Sequence, residues 1–246
     1  MKLYSTNRIN ALGLKGPEKT PEAIKEFIKS PIEHIQVDNN NIQESEKILY
    51  DKSKQIFQKD QKQIFIGGDH SITYPIFKAF QETKQNPFLI IFDAHIDCDY
   101  SNEEPTHEEW LRAIVEKGFS PENIILIGAR KEWKVEREFL NKHKIKVFRD
   151  IYDFGTAADY ITERANGQDV YLSIDIDALD PAFAPAVNYP EPAGLSSRDF
   201  FYLLRRILRI PTLDTIDITE AVPEKDKAYD NRTLRTIAKI IEETTQ

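Results

Sequence analysis

The sequence predicts an α/β protein: a single-domain, doubly wound, mainly parallel sheet with helices on both faces, a three-layer α/β/α arrangement. Three observations carry this. Short apolar runs alternate with longer segments of helical pattern, and strand–helix alternation builds parallel sheets covered on both sides. The length of 246 residues suits one large α/β domain. No repeat, low-complexity linker or break in composition divides it, so residues 1–246 read as one domain.

The elements follow in chain order. Strand-like runs occupy Gln63–Ile66, Phe88–Asp93, Asn123–Gly128, Ile145–Phe148, Val170–Asp175 and Leu213–Ile218, all rich in residues that favour sheets. Helices are expected over Ser71–Thr83, Glu108–Lys117, Glu132–His143, Thr156–Asn166, Ser196–Leu208 and Lys227–Glu243, with Ser-Ser-Arg-Asp capping the fifth. In the first sixty residues, Pro21–Ser30 and the stretch NNNIQESEKILYDKSKQIF read as helices, and a strand near His34–Val37 is left open.

Composition narrows the function. Hydrophobic content of 40% and charged content of 30% are ordinary for a soluble globular protein. The net charge of −8 gives no argument for nucleic acid and fits a solubility surface better than a cationic ligand. The lone Cys98 excludes an intramolecular disulfide and fits a reducing compartment. The start, MKLYSTNRIN, has no apolar signal-like core, and no apolar run approaches the roughly 20 residues of a membrane span. A cytoplasmic protein without membrane or nucleic-acid partners is the expectation.

The ends of three predicted strands carry the chemistry. FLIIFDAHIDCD places Asp93, His95, Asp97 and Asp99 on alternate positions, so they share a face. DVYLSIDIDALDP does the same with Asp175 and Asp177. IFIGGDHSITYP turns sharply at Gly67-Gly68 and delivers His70 to the same rim. Ligands of open α/β sheets bind beyond the carboxyl ends of the strands. Carboxylates crowded there raise one another's pKa and are costly to bury without a cation. Oxygen and imidazole donors suit hard and borderline divalent metals. Four Asp and two His exceed the needs of one ion, and four carboxylates match the charge of two divalent ions. Bridging carboxylates hold such ions roughly 3.5–4 Å apart, which predicts a binuclear site that generates hydroxide near neutral pH.

The stretches GGDHS (Gly67–Ser71), DAHIDCD (Asp93–Asp99), SIDIDALDPAFAPAV (Ser173–Val187) and DITEAVPEKD (Asp217–Asp226) resemble the ureohydrolases, the family of arginase, agmatinase and formimidoylglutamase. The resemblance spans most of the chain and is most like agmatinase. It implies the doubly wound fold, two Mn²⁺ per subunit and a homo-oligomer, a trimer or hexamer. It implies that His70 and Asp97 bind the first ion, His95 and Asp177 the second, and that Asp93 and Asp175 bridge them. It further implies that Asp97 holds the nucleophile and passes on its proton, that Glu220 pairs with the substrate guanidinium, and that His107 protonates the leaving group or shuttles protons. The reaction implied is cleavage of a guanidino C–N bond to urea and an amine, foremost agmatine to putrescine. A formimidoylglutamase, a guanidino-acid hydrolase and an arginase are the alternatives within the family. A single-zinc deacetylase-like hydrolase is argued against by the second Asp of SIDID and by His70, and a non-catalytic metabolite-binding relative by the complete ligand set.

Some residues depart from the family pattern. Glu108 follows His107 where a glycine is usual, and Asn188 and Ala193 replace glycines in NYPEPAGLSS. The residues after Gly128-Ala129-Arg130 do not match arginase. Glu103, Glu104, Glu108 and Glu109 form an acidic loop suited, if it lines the mouth, to a doubly cationic substrate. Arg130 and Lys131 instead suit a carboxylate. Cys98 is expected in the core, Asp69 as a hydrogen-bond partner beside the ligands, Asp99 outside them, and His34 and His143 on the surface.

Overall fold

Eight strands form one sheet in the order β2-β1-β3-β8-β7-β4-β5-β6, every neighbouring pair parallel. They are β1 (Lys2–Thr6), β2 (Ile32–Ile35), β3 (Gln63–Ile66), β4 (Pro87–Phe92), β5 (Ile124–Ile127), β6 (Lys146–Phe148), β7 (Asp169–Asp175) and β8 (Leu213–Thr219). The α-helices are α1 (Thr20–Ala23), α2 (Ile42–Phe57), α3 (Thr73–Thr83), α4 (Trp110–Glu116), α5 (Lys134–His143), α6 (Phe154–Arg164), α7 (Ser197–Ile207), α8 (Pro223–Asp226) and α9 (Arg232–Thr245). The structure, a computed structural model, describes residues 1–59, 61–149 and 151–245.

Strand alternation divides the core between the two faces of the sheet. Ile64, Ile66, Ile90, Phe92, Leu172 and Ile174 pack beneath α6, α7 and α9. Phe65, Leu89, Ile91, Leu126 and Tyr171 pack beneath α2, α3, α4 and α5. This is the predicted three-layer arrangement. The capping signal before α7 acts as expected, since Ser196 Oγ accepts from the Asp199 N–H.

The N-terminal third differs from the sequence reading. β1 was not predicted, and β2 begins at Ile32. β2 is an edge strand with Glu33 and His34 exposed, so it lacks the apolar run that marks the inner strands. The helix expected over Pro21–Ser30 is only α1 and one 3₁₀ turn, Ile24–Glu26; Pro31 disfavours helix at Ser30, and the chain must already enter β2. The last helix is also divided. Asp230 and Asn231 adopt φ 54° and 52°, a conformation these two residue types tolerate. The Asp226 carboxylate then caps α9 by accepting from the Thr233 and Leu234 N–H groups.

β3, β8, β7 and β4 are consecutive at the centre of the sheet. Neighbouring strands lie about 4.8 Å apart, so their carboxyl ends bring Gly67–His70, Glu220, Asp175–Asp177 and Asp93–Asp97 to one rim. Of the described helices, none is long and apolar enough to cross a membrane.

Candidate metal centre

The turn after β3 is shaped by close backbone approach. A Cβ on Gly68 would collide with the Arg8 carbonyl oxygen, which explains the glycine. Asp69 then caps the 3₁₀ turn His70–Ile72, its Oδ1 accepting from Ser71 N–H at 3.1 Å. His70 is fully buried. Its Nε2 lies 2.9 Å from Ser173 Oγ, and Ser173 gives its own proton to Asp217 Oδ1 at 2.6 Å. Ser173 must therefore accept from Nε2–H, which leaves the lone pair on Nδ1. Among the described residues that nitrogen has no assigned hydrogen-bond partner, although Asp97 Oδ2 (2.9 Å), Asp93 Oδ2 (3.0 Å) and Asp175 Oδ2 (3.4 Å) surround it.

The carboxylates share one design. Each is anchored through one oxygen to a backbone N–H: Asp93 Oδ1 to His95, Asp175 Oδ1 to Asp177, and Asp177 Oδ1 to Ala94. The other oxygens face imidazole nitrogens, with Asp177 Oδ2 2.9 Å from His95 Nδ1. Two groups result, His70–Asp93–Asp175 and Asp93–His95–Asp177, whose donor atoms lie within 4.8 Å of one another. Three carboxylate oxygens around one imidazole nitrogen suit a divalent cation, which takes the lone pair of Nδ1 once its proton is lost and meets all the oxygens together. Asp93 belongs to both groups.

Asp97 lies outside the two groups but reaches the same point, accepting from Trp110 Nε1 at 2.6 Å through Oδ2. Its backbone is at φ 52° and that of Glu220 at φ 70°, strained for residues other than glycine. Glu220 Oε1 accepts from His70 N–H at 2.8 Å and lies 3.3 Å from His107 Nδ1. His107 is buried, its Nε2 without a hydrogen-bond partner among the described residues. Burial, reinforced by Asp93, pushes the Asp97 carboxyl up to about 7. Burial opposes charge on His95 and His107, yet carboxylate neighbours prevail: Asp177 and Asp93 raise His95 to about 12, and Glu220 raises His107 to about 9.

A cleft of about 210 Å³ opens above these groups. Of the predicted acidic loop, only Glu108 lines it. Glu109 is buried, holding Thr106 and Asn102, and Glu104 bonds Gln43. Arg130 does not face a ligand either: its guanidinium donates to the carbonyls of Gly128, Asp177, Ala178, Leu179, Glu191 and Pro192. It clamps the 188–194 loop instead of reading substrate. Lys131 does line the cleft, its Nζ 5.2 Å from the Trp133 ring centroid. Ala193 sits at φ 61°, so the residue replacing a family glycine keeps the glycine conformation. Cys98 is buried, Asp99 lines the cleft outside both groups, and His34 is exposed. Sequence reasoning missed Tyr189, whose ring lies 6.2 Å from His95 and 5.9 Å from His107, and the Ser173–Asp217 relay. Ser173 stands two residues before Asp175 on the same strand face, a signal that was available.

Fold and site together define a class: doubly wound parallel α/β proteins with a carboxylate–imidazole cluster at the carboxyl edge of the sheet. The arginase family model matches residues 11–245, and the chain belongs to the arginase family. An agmatinase of Halalkalibacterium halodurans is 32% identical over 174 residues, 70% of this chain and 58% of that protein. The chain thus spans about three fifths of the length of the curated relatives it matches. An arginase structure from Bacillus subtilis superposes with TM-score 0.89 at 22% identity, covering 99% of this chain and 97% of that one. A formimidoylglutamase structure from the same species gives 0.90 at 20% identity, covering 99% and 85%. At these identities the structural likeness speaks for the fold alone.

Proposed function

We propose that the protein is a binuclear manganese hydrolase that cleaves a guanidino C–N bond, most readily that of agmatine, to urea and an amine. The observation that carries this is the convergence of Asp93, Asp97 and Asp175 oxygens on the unpartnered His70 Nδ1, beside the His95–Asp177 pair. In this reading His70, Asp93, His95, Asp97, Asp175 and Asp177 would hold the ions. Bound there, the ions would supply Lewis acidity and activation of water at neutral pH.

The chain's own groups do the rest. Glu220 receives the substrate guanidinium. Asp97, beside the attacking water, takes its proton and passes it toward the leaving amine. His107, charged beside Glu220, donates to the departing amine. The unit acting is one domain, expected in the cytoplasm as a homo-oligomer.

Agmatine is favoured by the rim. Glu108 and Glu191 line it, and neither is paired with a lysine or arginine among the described residues. A second cation on the substrate would meet both. One observation favours a second reading: Lys131 lines the same cleft and has no carboxylate partner among the described residues, which suits a guanidino acid or formimidoylglutamate.

The deciding experiment offers Mn²⁺-loaded protein agmatine, arginine, guanidinobutyrate, guanidinopropionate and formimidoylglutamate, following urea and formamide. Agmatine is expected to turn over fastest. Turnover of a carboxylate-bearing compound with agmatine ignored would reverse the substrate assignment and leave the chemistry standing. No product from any of them, with two ions bound, would make this a non-catalytic relative; one ion per subunit would favour the single-zinc reading. Ser173→Ala, which removes the group holding His70, is expected to weaken Mn²⁺ binding about 10- to 100-fold by calorimetry.

A further inference from the structure

The segment after β1 makes bonds that no ligand assignment requires. Asn10 is half-buried on irregular backbone. Its N–H donates to Asp69 Oδ2 at 2.6 Å. Its side-chain Nδ2 donates to the carbonyls of Glu104 and Pro105, each at 3.1 Å. Its carbonyl accepts from the His107 N–H at 3.3 Å.

These bonds close a circuit. From Asn10 the path runs to Asp69, along one peptide to His70, from the His70 N–H to Glu220 Oε1, from there to His107 Nδ1, and from the His107 N–H back to Asn10. The circuit contains the ligand turn, the carboxylate assigned to the guanidinium and the imidazole assigned to the leaving group. Of its members, His70, Glu220 and His107 line the cleft, whereas Asn10 and Asp69 stand behind it. Arg8 seats the segment from below: its Nη1 donates to Ser71 O at 2.7 Å and to Ser71 Oγ.

The loop that Asn10 grips has little other support at its start. Among the described residues Glu104 is otherwise held by Gln43 at an exposed side chain, and Thr106 by Glu109 and the Glu108 N–H within the same loop. A local bond inside the loop cannot set its height above the rim. Asn10 can, because it is bonded simultaneously to the turn that carries His70.

We propose that Asn10 is a positioning residue that ties the 104–107 loop to the His70 turn and thereby sets where His107 stands over the cleft. The inference rests on the role proposed above for His107. Asn10 touches no reacting atom; it acts through His107.

The test is Asn10→Ala alone and combined with His107→Ala. Losing two side-chain hydrogen bonds of ordinary strength is expected to lower kcat about tenfold, with KM within about twofold and Mn²⁺ content unchanged. Amides of residues 104–107 should exchange at least about tenfold faster, while those of His70–Ile72 keep their protection. The double variant should be no slower than His107→Ala, because Asn10 has nothing left to position. Unchanged exchange at 104–107, or full additivity of the two substitutions, overturns the proposal. If the alanine variant does not fold, Asn10→Ser, too short to reach both carbonyls, is read in the same way. If wild-type protein hydrolyses no amidino compound, the functional reading fails separately, and the exchange measurement alone decides the strut.

Discussion

Asp175→Asn is expected to lose at least about a thousandfold in turnover while its metal-free form becomes harder to unfold at pH 8. The two effects share one cause. Asp175 is buried at the end of β7 with Asp177 and Asp93 as neighbours, and burial first, then those charges, push its carboxyl well above the usual range. Without ions the folded chain must keep a proton there that the unfolded chain would have released. Asparagine has no such proton to keep. It retains an oxygen for the Asp177 N–H, which Asp175 Oδ1 now accepts at 2.9 Å, and offers an amide toward His70 Nδ1, 3.4 Å from Asp175 Oδ2. The price is the charge that balances the cations. Metal analysis should find fewer than two ions per subunit, and added Mn²⁺ should raise the melting temperature less than in wild type. Two bound ions with wild-type turnover would remove Asp175 from the proposed ligand set.

The inner sheet was legible because its signals are local. β3, β4, β5, β7 and β8 are apolar runs in a charged chain, and each was found to within a residue or two. The candidate ligand residues stood out for the opposite reason: carboxylates every second residue at the end of such a run have no packing role. What could not be read depends on direction or on register. Glu108 and Glu109 are adjacent and chemically alike, yet one lines the cleft and the other is buried under Thr106. Arg130 looks like an anion receptor until six carbonyls from three segments are seen to converge on it. Ser173 and Asp217 stand opposite each other only because β7 and β8 pair in that register. The edge strand β2 escaped because an edge strand need not be apolar, and the internal strand β1 because its five residues, KLYST, are half polar, yet β1 leads into Arg8 and Asn10 at the site.

The same electrostatics give the metal-free protein an unusual response to pH. Asp97 titrates near 7 when folded against an ordinary 3.8, and His95 near 12 against 6.5. A group whose folded pKa is raised contributes stability that is complete below its unfolded pKa and lost as pH climbs through the folded one. For Asp97 that loss runs from about pH 4 to 7, and for His95 from about 6.5 upward. Asp93 acts in the opposite sense: burial disfavours its charge, but His70 and His95 prevail and lower it, so its contribution is lost only as the solution becomes strongly acid. Protein treated with chelator should therefore melt highest near pH 5 and several degrees lower at pH 8. Saturating Mn²⁺ should reverse the order, because the ions replace the protons that His70 and His95 hold and bind more tightly as those protons become easier to remove. Calorimetry in buffers of different ionisation enthalpy should accordingly find protons released on binding, on the order of one per ion at pH 7. A metal-free melting temperature that rises from pH 5 to pH 8, or binding without proton release, would mean that the imidazoles do not carry the compensating charge.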